Sequence, residues 1–322
     1  MPTITFVQAI RDALREELRR DPAVFVMGED VQAGVFGATT GLVEEFGPAR
    51  VRNTPISEAG FVGAGVGAAL AGARPVVEIE FASFAYCAWD QLCNQAAKLR
   101  YMSGGQTSVP ITYRTLCGAV GSAAAQHSET VYAQLLSVPG LKLVVPSGPY
   151  DMKGLLKSAI RDDDPVVVFE FGSLGRTKEE VPDGEYVVPL GKGAIKREGK
   201  DATVVAIGPL VHKALSAAAV LDKEGISVEV VDPRTLVPLD EEIILGSVKK
   251  TGRVVIADEG HLRGGAAADL AAIIADKGFD YLDGPVKRVT TPDVPIPFSP
   301  PLESFVLPSA DKIAAAVRKL VR

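Results

Sequence analysis

The sequence predicts an α/β protein of two doubly wound domains, each a mostly parallel sheet covered by helices on both faces. Short strand-like runs alternate with helical segments from residue 24 to 171 and again from 202 to 257, and a stretch punctuated by Pro and Gly, residues 172–199, separates the two series. The chain's 322 residues also exceed what one ordinary core holds. Strands that alternate with helices are joined by crossovers, which makes them parallel and buries both of their faces. The expected boundaries are a first domain over 1–180, a linker over 181–198 and a second domain over 199–322.

Phe6 to Leu18 repeats apolar residues at helical spacing and stops at Asp21-Pro22. Val24 to Met27 reads as a strand ending at Gly28-Glu29-Asp30, and a loop through Gly34, Gly37 and Gly41 leads to a short helix near Leu42 to Phe46. Val51 to Ile56 is extended, with Glu58 just beyond it. Ala59 to Gly72 is almost wholly Ala, Gly and Val, the pattern of a buried helix that its neighbours approach closely. Pro75 to Phe81 reads as a strand and Tyr86 to Lys98 as a helix ending before Ser103-Gly104-Gly105. Strands follow at Val109 to Tyr113, Leu141 to Val145 and Val166 to Phe171, with helices near Val131 to Leu136 and Tyr150 to Ile160. In the second series, strands at Ala202 to Gly208, Ser227 to Val231 and Val254 to Ala257 alternate with helices near Val211 to Lys223 and Leu239 to Val248.

Composition narrows the function. A chain 47% hydrophobic and 23% charged is that of a packed globular protein. The net charge of -6 comes from acids and bases mixed along the chain, which leaves no basic face for nucleic acid. Cys87, Cys93 and Cys117 lack the spacing of a zinc site and are expected to be reduced. No apolar run approaches the roughly 20 residues that cross a bilayer, and the acid-bearing first helix is no targeting peptide. A cytoplasmic protein is expected, or one of an organelle matrix. Phosphate-loop and Gly-x-Ser-x-Gly motifs do not occur.

Several residues carry a functional reading beside a structural one. Gly60, Gly63, Gly65 and Gly67 loosely match a dinucleotide fingerprint, and an NAD-binding Rossmann oxidoreductase is the rival of another class; the glycines, however, lie inside the predicted helix and not at its mouth. Glu58 is either a first-turn acid favourable to the helix dipole or, among such apolar neighbours, a carboxyl of raised pKa suited to proton exchange. His127 closes a run of small residues, Ala119 to Ala125, and is either structural or set against a ligand. His212 and His261 read as structural. Asp162, Asp163 and Asp164 before Pro165 make a solvated turn, or one whose carbonyls hold a hard cation.

Met27-Gly28-Glu29-Asp30, Thr54 to Gly60, Asp90-Gln91, Tyr101 to Gly105, Gln126-His127-Ser128, Pro139 to Lys142 and Asp232 to Leu236 together resemble the β subunits of thiamine diphosphate-dependent 2-oxo acid dehydrogenases, in order and over nearly the whole chain. The resemblance implies a pyrimidine-binding domain followed by a transketolase C-terminal-like domain. It implies that Glu58 hydrogen-bonds the aminopyrimidine nitrogen opposite the amino group, making the imino tautomer accessible, and that Phe84, with Tyr86 as the alternative, lies against the ring. His127 is implied as the second catalytic residue, at the lipoyl entrance, and a potassium ion on the carbonyls of Ile111, Ala159, Asp162 and Asp164.

The Gly-Asp-Gly motif that holds magnesium and the diphosphate is missing, so the resemblance implies an α subunit that supplies it, in an α2β2 heterotetramer. The second domain is implied to build the subunit interface and to meet the peripheral subunit-binding domain of a lipoyl-bearing acyltransferase core. Thr112 to Cys117 departs from the Arg-Gly-rich stretch usual after this strand, which bears on substrate choice: pyruvate, a branched-chain 2-oxo acid or, in an acetoin dehydrogenase, acetoin.

Overall fold

Val-rich runs buried along their whole length, such as Val24–Gly28, Val166–Phe171 and Ala202–Ala206, form the centres of two sheets. The computed structural model describes residues Met1–Arg322. The chain begins with β1 (Thr3–Thr5), α1 (Phe6–Arg20), β2 (Val24–Gly28), α2 (Leu42–Phe46), β3 (Val51–Asn53), α3 (Glu58–Leu70) and β4 (Arg74–Phe81). It continues through α4 (Ala97–Met102), β5 (Thr112–Cys117), α5 (Tyr132–Leu135), β6 (Lys142–Val144), α6 (Pro149–Arg161), β7 (Val166–Phe171) and β8 (Lys178–Glu180). The second half comprises β9 (Ala194–Arg197), β10 (Ala202–Ala206), α7 (Leu210–Asp222), β11 (Val228–Asp232), β12 (Thr235–Val237), α8 (Glu241–Thr251) and β13 (Val254–His261). α9 (Ala266–Lys277), β14 (Lys287–Thr291), α10 (Pro300–Val306) and α11 (Ala310–Val321) complete it.

The first sheet has the order β12-β6-β7-β5-β4-β2-β3 and the second β14-β13-β10-β11-β9. All neighbours in them are parallel except β12 on β6 and β9 on β11. The chain leaves β2 for β3 on one side and returns to β4 on the other, so the strand order reverses at the β2/β4 boundary. Crevices beyond the carboxyl ends of strands at such a reversal are where open α/β sheets bind ligands.

The sequence divides the sheets less cleanly than the structure does. β9 falls inside the expected linker and forms an edge of the second sheet, while β8 pairs antiparallel with β1. β12, from the second half of the chain, crosses back to extend the first sheet, Thr235 opposite Val144. Between the halves, the Ser147 hydroxyl donates to Asp232 at 2.5 Å, Arg234 pairs with Asp151 at 2.6 Å, and Lys196 is bonded to Asp151. A single hydrophobic cluster of 63 residues includes Val205, Val231 and Ile256 with the first-sheet core, so the two sheets share it.

Two local readings need correction. The helix expected over Tyr86 to Lys98 is instead a 3₁₀ helix, Ala82–Ala88, a π-helical segment, Gln91–Ala96, and then α4. Ala82, Ala85 and Ala88 recur every third residue and are all buried, which matches three residues per turn and not 3.6. The strand expected from Val109 begins at Thr112, because Pro110 has no N–H to give a ladder. Thr112 to Cys117 is therefore the strand itself and not a stretch after it.

α3 is also less enclosed than its composition suggests. Phe61, Val62, Gly65, Val66 and Ala69 are buried, while Ala64, Gly67 and Leu70 are exposed on the other side. The four glycines lie within or against this helix, so the dinucleotide fingerprint has no geometric counterpart. A Cβ at Gly65 would meet Val77 Cγ2 at 2.7 Å and Ile111 Cδ1 at 3.0 Å, whereas one at Gly67 would meet nothing within 4 Å. Gly65→Ala is therefore expected to destabilise the chain by about 1–3 kcal/mol through overpacking. Gly67→Ala is expected to stabilise it by about 0.5–1 kcal/mol through helix propensity. Urea denaturation of the two variants checks both signs.

Candidate active site

The carboxyl ends of β2, β3, β4 and β5 bring the candidate residues to one edge of the first sheet. β2 ends at Gly28, which lies opposite Asn53 of β3 and Glu78 of β4, and Glu29 follows it directly. Glu58 is the first residue of α3, half-buried, at the start of a helix whose Ser57 cap makes no side-chain hydrogen bond. Glu80 is the penultimate residue of β4.

The surroundings of Glu58 are not the purely apolar ones that its sequence neighbours suggest, because Glu29 and Glu80 share them. The carboxyl that stands out is that of Glu29, which the sequence places at the end of a strand and within a family motif without a chemical role. Its side chain is buried, and Oε1 has no hydrogen-bond partner. Burial, followed by the like charges of Glu58, Glu80 and Asp30, pushes it up to about 7. Burial and the charges of Glu78, Asp30 and Glu58 likewise raise Glu80 above the ordinary carboxylate range. Every one of these influences has the same sign, with no basic side chain among them. One layer deeper, Arg114 is fully buried and pairs with Glu78 at 2.7 Å and Glu170 at 2.6 Å.

At the β4 and β5 ends, the imidazole of His127 packs edge-to-face on Phe81, with centroids 4.6 Å apart, and on Phe84, at 5.4 Å. Phe36, from the Gly-rich loop, meets Phe81 at 5.8 Å. The structure thus brings Phe84 and His127 together and adds Phe81 and Phe36, which the sequence reading missed. An aromatic closing a strand at the carboxyl edge of the sheet was the available signal for Phe81. Tyr86, the alternative ring, is 45% exposed, and its hydroxyl donates to Glu129 at 2.9 Å, two positions beyond His127.

His212 Nε2 lies 2.7 Å from the Ser147 carbonyl and His261 Nε2 3.1 Å from that of Val294, bonds that fit the structural reading of both. At the acidic turn, Lys142 pairs with Asp162 at 2.7 Å and with Asp164 at 3.2 Å, Arg74 pairs with Asp163, and Arg100 is bonded to Asp164. The Ile111 carbonyl accepts from the Val166 amide at 3.0 Å, that of Ala159 from Asp162 at 3.2 Å and that of Asp162 from Arg74 at 2.9 Å. Each keeps a second lone pair, which is the donor chemistry a potassium ion needs.

Residues 2–177 match the family described as "Transketolase, pyrimidine binding domain" and residues 191–313 "Transketolase, C-terminal domain". The chain is 50% identical to the β subunit of acetoin:2,6-dichlorophenolindophenol oxidoreductase from Bacillus subtilis (strain 168), over 99% of this chain and 97% of that one. It is 47% identical to the pyruvate dehydrogenase E1 component β subunit of Rickettsia felis, over 98% of each. The chain belongs to the β-subunit family of thiamine diphosphate-dependent 2-oxo acid dehydrogenases. A solved structure described as "Split gene transketolase, inactive beta4 tetramer" superposes with a TM-score of 0.82 at 27% identity, covering 99% of this chain and 98% of that one.

In a β subunit of this family the first domain is the pyrimidine-binding one, and the acidic, aromatic-walled edge of its sheet suits a neutral nitrogen heterocycle. Glu29 also yields a stability test. Its carboxyl ionises near 4.5 in the unfolded chain and near 7 when folded, so the stability it contributes is complete below pH 4.5 and is lost as the pH rises through 7. Glu29→Gln is expected to be more stable than the natural chain at pH 8, by at most about 3 kcal/mol, with most of the difference gone at pH 5 and the two converging below pH 4.5. Denaturant midpoints across this pH range measure this.

Proposed function

We propose that this chain is the β subunit of an α2β2 enzyme that oxidatively decarboxylates pyruvate or a branched-chain 2-oxo acid and passes the acyl group to lipoamide. One observation carries the reading: Glu29, Glu58 and Glu80 crowd the β2/β4 crevice without a cation, next to an aromatic wall that includes His127. Such a site fits the aminopyrimidine half of thiamine diphosphate and not its diphosphate, whose charge calls for magnesium and its ligands from an α subunit.

Bound thiamine diphosphate supplies the electron sink for loss of carbon dioxide. Glu58 is the carboxyl proposed to hold the ring nitrogen, and Phe84 the ring proposed to lie against the pyrimidine. Burial, with the like charges of Glu58, Glu80 and Asp30, favours the protonated form of Glu29, which lowers the negative charge the trio carries. His127 is proposed to move a proton at its imidazole during acyl transfer. The exposed Ala64, Gly67 and Leu70 face of α3 and the 84% exposed Ile56 support a partner chain beside Glu58. A potassium ion on the carbonyls of Ile111, Ala159, Asp162 and Asp164, a lipoyl-bearing acyltransferase core docked on the second domain and a cytoplasmic location complete the proposal.

The 50% identity to an acetoin-oxidising β subunit favours a second reading, cleavage of acetoin with the same coenzyme. Reconstitution with candidate α subunits, assayed on pyruvate, branched-chain 2-oxo acids and acetoin, separates the two. In the active pairing, Glu58→Gln is expected to lower turnover by at least about 100-fold. Unimpaired turnover in that variant would overturn the reading.

A further inference from the structure

We propose that Glu259 and Glu303, two carboxylates of the second domain, are positioning residues for His127, so that the second domain controls acyl transfer. His127 ends the loop that leaves β5 at Cys117. This loop holds Gly118, Gly121, Ser122 and Ala124 at φ of 74°, 90°, 57° and 61°. Residues with side chains, such as Ser122 and Ala124, stay in that left-handed region only where their surroundings hold them.

At the start of the loop and at Ser122, those surroundings come from the other domain. The Ala119 amide donates to Glu259 Oε1 at 2.5 Å, and the Ser122 amide to Glu303 Oε1 and Oε2 at 3.0 and 3.1 Å. A Cβ at Gly118 would lie 2.6 Å from Glu259 Oε1, so glycine there lets the carboxylate reach the chain. Ala119 also packs with Ile296 and Val306 of the second domain. Farther along, the Tyr132 hydroxyl donates to Asp258 at 2.5 Å, and the Ser83 hydroxyl reaches the Gln126 carbonyl from the first domain.

Glu259 and Glu303 are both buried; Glu259 Oε1 accepts from the Ala119 amide, and both oxygens of Glu303 accept from that of Ser122. Burial raises the Glu259 carboxyl above the ordinary carboxylate range, and in either protonation state Oε1 accepts from the Ala119 amide, a short directional bond that fixes the backbone there. Asp258, Glu303 and Lys213 are the charged groups that face Glu259; the Lys213 ammonium is itself bonded to the Pro308 carbonyl at 2.9 Å.

The inference rests on the role proposed above for His127, and the test separates the two. The reconstituted enzyme is assayed for acyl transfer to lipoamide and for 2-oxo acid oxidation with 2,6-dichlorophenolindophenol, a dye that needs no acyl transfer. Glu259→Ala is expected to lower kcat for lipoamide by about 10- to 100-fold, the cost of displacing a catalytic group by an ångström, while dye reduction and KM for the 2-oxo acid hold. Glu259→Gln, which keeps an acceptor oxygen, is expected to restore most of the loss. Glu303→Ala should act in the same direction, and it carries the test if Glu259→Ala does not fold. Equal loss of both activities, or natural lipoamide transfer in the Glu259 and Glu303 variants while His127→Ala abolishes it, would overturn the inference and leave the proposed function standing. Natural lipoamide transfer in His127→Ala would overturn the role of His127 and this inference with it.

Discussion

Three carboxylates gathered at the carboxyl edge of one sheet, with no cation of this chain among them, set the terms for the rest of the molecule. Glu29 and Glu80 are both shifted upward, and Glu58 is among the charges responsible. Isolated in one chain, such a cluster is a liability, since desolvated like charges disfavour each other. In the proposed function it becomes useful when a heterocycle takes a hydrogen bond from the site and a second chain brings the cation and the phosphate ligands. Half-buried Glu58, exposed Ile56 and the exposed small-residue face of α3 agree with a surface that is finished by a partner.

The fold supports this edge from beneath and from the side. Beneath it, Arg114 joins Glu78 of β4 to Glu170 of β7 across β5, tying three neighbouring strands at the level just below the site. Burial holds the Glu170 carboxyl above its ordinary range even beside Arg114, so the triad adds little net stability and is better understood as fixing strand alignment. From the side, the return of β12 to the first sheet and the pairing of buried Asp151 and Asp232 with half-buried Lys196 and Arg234 lock the two halves together. A fixed relation between the halves is what allows carboxylates of the second to hold a loop of the first.

Much of this was legible in the sequence, and the rest was hidden for definite reasons. The βα alternation, the strand Val166–Phe171 and a glutamate at the mouth of a small-residue helix follow from local pattern, and the structure has all three. Phe84 and His127 were named from ordered motifs, and the structure packs them together. Glu29 has no legible chemical role in the sequence because a polar residue after a strand looks like any turn; its raised pKa comes from burial and from Glu58 and Glu80, which lie 29 and 51 positions away. β12 is three residues long and pairs with a strand some 90 positions earlier, which no periodicity reveals. The 3₁₀ segment went unseen because its alanines recur every third residue, a spacing that a 3.6-residue template blurs. Composition likewise could not say whether the close neighbour of α3 belongs to the same chain or to another.

The central claim is that this chain holds one half of a coenzyme site. Calorimetric titration of thiamine diphosphate with magnesium, into the purified chain and into the chain reconstituted with an α subunit, tests it most directly. The account predicts saturable binding to the reconstituted pair and none to the chain alone at the same concentrations. Binding of equal affinity to the chain alone would contradict it.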